Sequence, residues 1–68
     1  MRRVNEKLKE IREYHGISQS ELARRVGVGK TTIGEVERGD RLPNVVTAIR
    51  IARALNTTVE EIWGDGEK

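Results

Sequence analysis

Gln19-Ser20-Glu21-Leu22-Ala23-Arg24-Arg25-Val26-Gly27-Val28-Gly29-Lys30-Thr31-Thr32-Ile33-Gly34-Glu35-Val36 is the stretch that decides the fold. Its apolar residues recur at helical spacing on both sides of Gly27, so two short helices meet at one tight turn. Ala23 is small where the two helices must approach closely. Gly27 stands where the chain reverses, and a positive φ there costs a residue with a Cβ more than it costs glycine. Val28 follows the turn and can plug inward, while Ile33 and Val36 anchor the inner face of the next helix. Ser18-Gln19-Ser20-Glu21 has the capping-box pattern and opens the first helix of the pair after Ser18. The second runs from about Lys30 to Arg38, and Gly39 ends it.

The helical period continues outward in both directions. Val4, Leu8 and Ile11 mark an amphipathic first helix that ends near Tyr14, with Gly16 as a left-handed terminator. Asp40 to Pro43 forms a loop. Asn44 can cap a fourth helix with Val45, Ala48, Ala52 and Leu55 on its inner face, and Asn56 is its left-handed stop. Thr58-Val59-Glu60-Glu61 repeats the capping pattern and opens a short fifth helix containing Ile62 and Trp63. From Gly64 onward the chain reads as a frayed acidic tail, which leaves an ordered core over about 4–63. No alternating β-period occurs, so the expectation is an all-α, compact five-helix bundle in one domain over 1–68.

Composition narrows the functional classes. The 68 residues give room for one small domain with a thin core. There is no cysteine and His15 is the sole histidine, so disulfides, thiolate metal sites and histidine clusters are excluded. No cofactor and no small-molecule ligand is called for. No apolar run is long enough to span a membrane and no signal segment is visible, so the expected compartment is the cytoplasm. Net charge is only +2, yet it is unevenly placed. Residues 1–56 hold 12 Lys and Arg against 7 Asp and Glu, whereas residues 57–68 hold four acids against Lys68. A basic body with an acidic end suits a polyanion-binding face, although a solvated surface has the same look.

The helix after the turn leaves Lys30, Thr31, Gly34 and Glu35 on its outer, polar side. Such a helix fits the major groove of DNA with its N-terminal residues toward the base edges. The whole pattern resembles the Cro and phage-repressor (XRE) helix-turn-helix family. The likeness runs from Leu8-x-x-Ile11-Arg12 through Gly16-Ile17-Ser18-Gln19-x-Glu21-Leu22-Ala23 to Ile33-x-x-Val36-Glu37-Arg38-Gly39. It ends with Pro43 and Ile51-Ala52-Arg53-Ala54-Leu55, covering roughly residues 8 to 63.

That resemblance implies a DNA-binding transcription regulator, a repressor in the first instance, and roles for individual residues. Gln19 matches the family's phosphate clamp at the start of the second helix. Lys30, Thr31 and Glu35 match its base-reading positions: Lys can donate to guanine O6/N7, Thr can touch a thymine methyl, and Glu can accept from cytosine N4. An unpaired carboxylate at Glu35 would be repelled by DNA. Thr32, Arg38 and Arg41 match phosphate contacts. Arg12 and Glu37 match an ion pair bridging the first helix to the end of the reading helix, with Arg12 also placed to approach a phosphate. Family members bind inverted repeats as homodimers, with half-site centres about 10–10.5 bp apart. Val46, Ile49 and the fifth helix hint at a dimer patch; Trp63 reads as a core-capping aromatic or an interface anchor.

Two positions depart from the family pattern. Gly29 occupies the site where Ser or Thr normally caps the reading helix, so its cap is weaker. Gly34 lies mid-helix on the exposed side, at a cost of about 1 kcal/mol relative to Ala. Either close backbone approach to DNA or simple tolerance accounts for it.

Competing classes fare less well. Gly27-Val28-Gly29-Lys30-Thr31 invites a phosphate-loop reading, but that motif needs Gly where Arg24 stands, a preceding strand and a βαβ unit. The acids sit at caps and on the surface, and His15 sits at a helix end beside Gly16, so no enzyme is expected. A protein-interaction module on the same fold stays open, as do antitoxin and restriction-modification controller roles. Salt separates the first of these: DNA binding weakens steeply with ionic strength because counterions are released.

Overall fold

In the computed structural model, residues 5–64 are described, and they form five α-helices. These are α1 (Glu6–Tyr14), α2 (Gln19–Val26), α3 (Lys30–Arg38), α4 (Val45–Ala54) and α5 (Val59–Trp63). Val4 and the acidic residues Asp65 and Glu67 lie outside the described residues. Gly64 closes α5, its N–H donating to the carbonyl of Glu60.

The caps follow the chemistry of the side chains. Ser18, Asn44 and Thr58 are the N-caps of α2, α4 and α5, and each accepts a hydrogen bond from the backbone N–H three residues on. Asn5 does the same for α1 by accepting from Leu8 N–H at 3.0 Å. The C-termini share one device. After α1 to α4 the chain takes a left-handed step at Gly16, Gly27, Gly39 and Asn56, with φ of 70°, 90°, 84° and 57°. The next N–H then reaches back to a carbonyl in the last turn: Ile17 to Arg12, Val28 to Ala23, Asp40 to Glu35 and Thr57 to Ala52. Four of the five helices are thereby stopped by the same wrap-around hydrogen bond.

Leu8, Leu22, Ile33, Val36, Ile51 and Leu55 are the largest fully buried side chains, and Ile62 closes the core from α5. Ala23, at 3% exposure, supplies the small surface on which α2 and α3 meet, and Val28 packs against the core from the turn. Ile33 and Val36 sit where expected. Trp63 is half-buried and packs on the core edge.

Two expectations are corrected. Val45 was expected on the inner face of α4, but it is 73% exposed; Ala48, Ile51, Ala52 and Leu55 are the buried positions. Val45 is the first residue of α4, and Ile51, fully buried, takes its place in the stripe. Gly34 was expected on the exposed side of α3, but it is buried, covered by side chains from α2 and α3.

Candidate nucleic-acid interface

The turn at Gly27 delivers the chain directly into α3, whose first residues, Lys30 and Thr31, are exposed. Gly29 is the N-cap and provides no side-chain hydrogen bond, as the sequence suggests. The N–H groups of the first turn of α3 therefore lack the side-chain acceptor that Ser18 gives α2. Lys30 makes no ion pair among the described residues. Thr32 is half-buried behind it.

The C-terminal end of α3 is fixed by a buried polar cluster. Arg12 and Glu37 are 8% and 6% exposed. Arg12 donates to both carboxylate oxygens of Glu37, from Nε at 2.6 Å and from Nη2 at 3.2 Å, and gives Nη1 to the carbonyl of Ile17 at 2.9 Å. Gln19 adds a bond that the sequence did not foretell: its Nε2 donates to Glu37 Oε1 at 2.9 Å. Backbone adds a fourth tie, from Asn5 N–H to the Glu37 carbonyl at 2.9 Å. One carboxylate thus joins α1, α2 and α3, and no buried polar side-chain atom among the described residues is left without a partner. Arg12 is oriented inward, so little of it is presented to a phosphate.

The other candidates stand at the surface in local pairs. Glu35 accepts from Arg41 Nε at 2.7 Å, and Asp40 accepts from Arg38 Nε at 3.1 Å. The carboxylate at Glu35 is therefore not alone. Its partner guanidinium, on the loop after α3, offsets the repulsion that DNA phosphates would exert on it. On α2, Glu21 accepts from both Arg24 and Arg25 at 2.8 Å, and these hydrogen bonds hold its carboxyl below the usual carboxylate range. Arg50 and Arg53 of α4, which sequence reasoning did not single out, flank a surface depression with Arg25; their i, i+3 spacing is the signal that marks them as neighbours.

A second depression of about 970 Å³ lies between the α3–α4 loop, α4 and α5. Leu42, Val45, Ile49, Val59 and Trp63 line it, with Leu42 84% exposed. His15 is the exposed C-cap of α1, edge-on to the ring of Tyr14. No helix among the described residues is long and apolar enough to cross a membrane.

Comparison with known proteins agrees with this geometry. A helix-turn-helix family model matches residues 8–62. An uncharacterized HTH-type transcriptional regulator of Methanothermobacter thermautotrophicus is 44% identical over 57 residues, covering 82% of this chain and 83% of the relative. The control protein C.SmaI of Serratia marcescens is 39% identical, with 84% and 68% covered. The crystal structure of the restriction-modification controller protein C.AhdI from Aeromonas hydrophila superposes with a TM-score of 0.82 at 34% identity, over 87% of this chain and 89% of that one. The chain belongs to the helix-turn-helix family of the Cro and phage-repressor type.

Proposed function

We propose that this chain is a sequence-specific, double-stranded DNA-binding transcription regulator that places α3 in the major groove of an operator. The observation that carries this reading is the presentation of α3. Its inner side is held by Ile33, Val36 and the Arg12–Glu37–Gln19 cluster, while Lys30 and Thr31 stand exposed at its N-terminal end. A rigid helix with an exposed cation at its leading end meets the requirements for reading base edges. Lys30, Thr31 and Glu35 are the base readers in this proposal. Gln19, Thr32, Arg38 and Arg41 hold phosphates, and Arg12 acts through Glu37. The chain works without enzymatic chemistry, as a repressor in the cytoplasm.

A homodimer on an inverted repeat completes the proposal. The apolar face made by Leu42, Val45, Ile49 and Trp63, with Val46 beside it, supports that assembly. The likeness to C.SmaI and C.AhdI favours one more specific role, a controller of a restriction-modification operon. Binding of the selected motif upstream of such an operon in the source genome would support that role; its absence there would count against it.

Selection of bound sequences from a random DNA pool tests the central reading, repeated with Lys30→Ala and Glu35→Ala. The wild type should enrich one motif, and each variant should relax a different position in it. Failure to enrich any motif would sink the DNA-reading function. An unchanged motif in both variants would leave binding intact and overturn the assignment of the readers.

A further inference from the structure

Gly34 sits in the middle of α3, where alanine is the better helix former. Its backbone is ordinary helix, so no unusual dihedral calls for glycine there. Space does. A Cβ at this position would lie 3.3 Å from Arg38 Nη1 and 3.7 Å from Gln19 Oε1. The ends of two long side chains, one from α2 and one from α3, therefore converge over the bare backbone of Gly34.

A methyl at position 34 would only touch Gln19 at ordinary contact distance, whereas the exposed end of Arg38 would have to shift by a few tenths of an ångström. Gln19 is anchored through Nε2 to Glu37, inside the buried cluster that also holds Arg12. Arg38 is anchored through Nε to Asp40, which leaves its terminal nitrogens without another bond among the described residues. The amide of Gln19 keeps one N–H beyond the bond to Glu37. The end of the Arg38 guanidinium and the Gln19 amide, whose Oε1 lies on that side, come to the same stretch of α3, and their remaining N–H groups are donors of the kind a phosphate oxygen accepts from.

We propose that Gly34 is a positioning residue for a DNA phosphate contact: its missing side chain leaves the end of Arg38 room to lie over α3 near the Gln19 amide, where the two receive one phosphate together. This rests on the DNA-reading function above. It also explains the mid-helix glycine through packing on neighbouring side chains rather than through tolerance.

The test uses the full chain and a 20-bp duplex recovered by selection from a random pool, titrated by fluorescence anisotropy across a range of KCl. Gly34→Ala should melt at a higher temperature than wild type, because helix propensity improves. It should nonetheless bind about three- to tenfold more weakly, the scale of one weakened charged hydrogen bond. The slope of log K against log salt should become shallower by up to about 0.9, the share of one phosphate. Gly34→Leu should bind more weakly still. In an Arg38→Ala background, adding Gly34→Ala should change affinity less than about twofold, because the two changes remove the same contact. Wild-type affinity and slope in Gly34→Ala would overturn the inference alone. So would an equal loss in both backgrounds, since the added methyl would then be meeting the DNA itself. No duplex bound by the wild type would overturn the DNA-reading function and this inference with it.

Discussion

Arg12 and Glu37, 25 residues apart in sequence, form a two-point ion pair that fastens the end of α3 to α1 out of reach of water. A buried pair of this kind adds little over well-packed apolar residues, but leaving one member alone is costly. Arg12→Ala should therefore destabilise the chain by about 3–5 kcal/mol, a large part of the total for a domain this small. The double variant Arg12→Met, Glu37→Leu should lose less than either single truncation. Urea unfolding followed by circular dichroism reads both. A midpoint for Arg12→Ala close to wild type would show that the pair does not hold α3.

Gly29 offers the opposite kind of change. Its φ and ψ of −79° and 156° suit any L-residue, and a Cβ there would meet nothing within 4 Å. Gly29→Ser should supply the missing cap and reduce the freedom of the unfolded chain, together worth about 0.5–1 kcal/mol. For a chain of this size the melting temperature should rise by about 2–6 °C. Calorimetry checks it, and a melting temperature at or below wild type would contradict the capping argument.

These two positions mark how far the sequence carries. Gly29 was legible because a cap is a local matter between one side chain and the N–H groups two or three residues away. The same holds for Ser18, Asn44 and Thr58, and for the left-handed stops at Gly16, Gly27 and Asn56. Gln19 shows where local reasoning ends. Its bond to Glu37 depends on how α2 lies across α3, which no spacing within α2 encodes. Gly34 was misplaced for the same reason: the side chains that bury it are the far ends of Gln19 and Arg38. Val45 failed differently. Positions 45, 48, 52 and 55 and positions 48, 51, 52 and 55 both trace a helical stripe, so spacing alone does not choose between them, and packing in the fold buries the second.

Glu35 and Arg41 restrain each other at the candidate reading face. Glu35→Gln keeps the shape of the side chain but removes the charge that Arg41 binds. Binding to a mixed-sequence duplex should then tighten by about two- to fivefold at low salt, because a negative charge leaves the face and Arg41 is freed for phosphate. Preference at one position of the selected motif should weaken, since an amide accepts from cytosine N4 less strongly than a carboxylate does. Anisotropy with the two duplexes separates the effects. Unchanged affinity for both would place Glu35 outside the interface.

Ile49 lines the depression shared by the α3–α4 loop, α4 and α5, and it is 40% exposed. The neighbouring Leu42 and Val45 are more exposed still, so water contacts a connected apolar surface that the core of one chain does not use. If a second copy covers that surface, Ile49→Lys places two like charges near the interface without disturbing the buried side of α4. Sedimentation should then shift from dimer toward monomer while helical content is unchanged. Affinity for an inverted repeat should fall by about 10²-fold or more, because the second half-site no longer benefits from the first being held. Affinity for a single half-site should stay within about twofold, since Lys30 and Thr31 are on another helix. Unchanged sedimentation and unchanged binding to the repeat would move the dimer interface elsewhere on the chain.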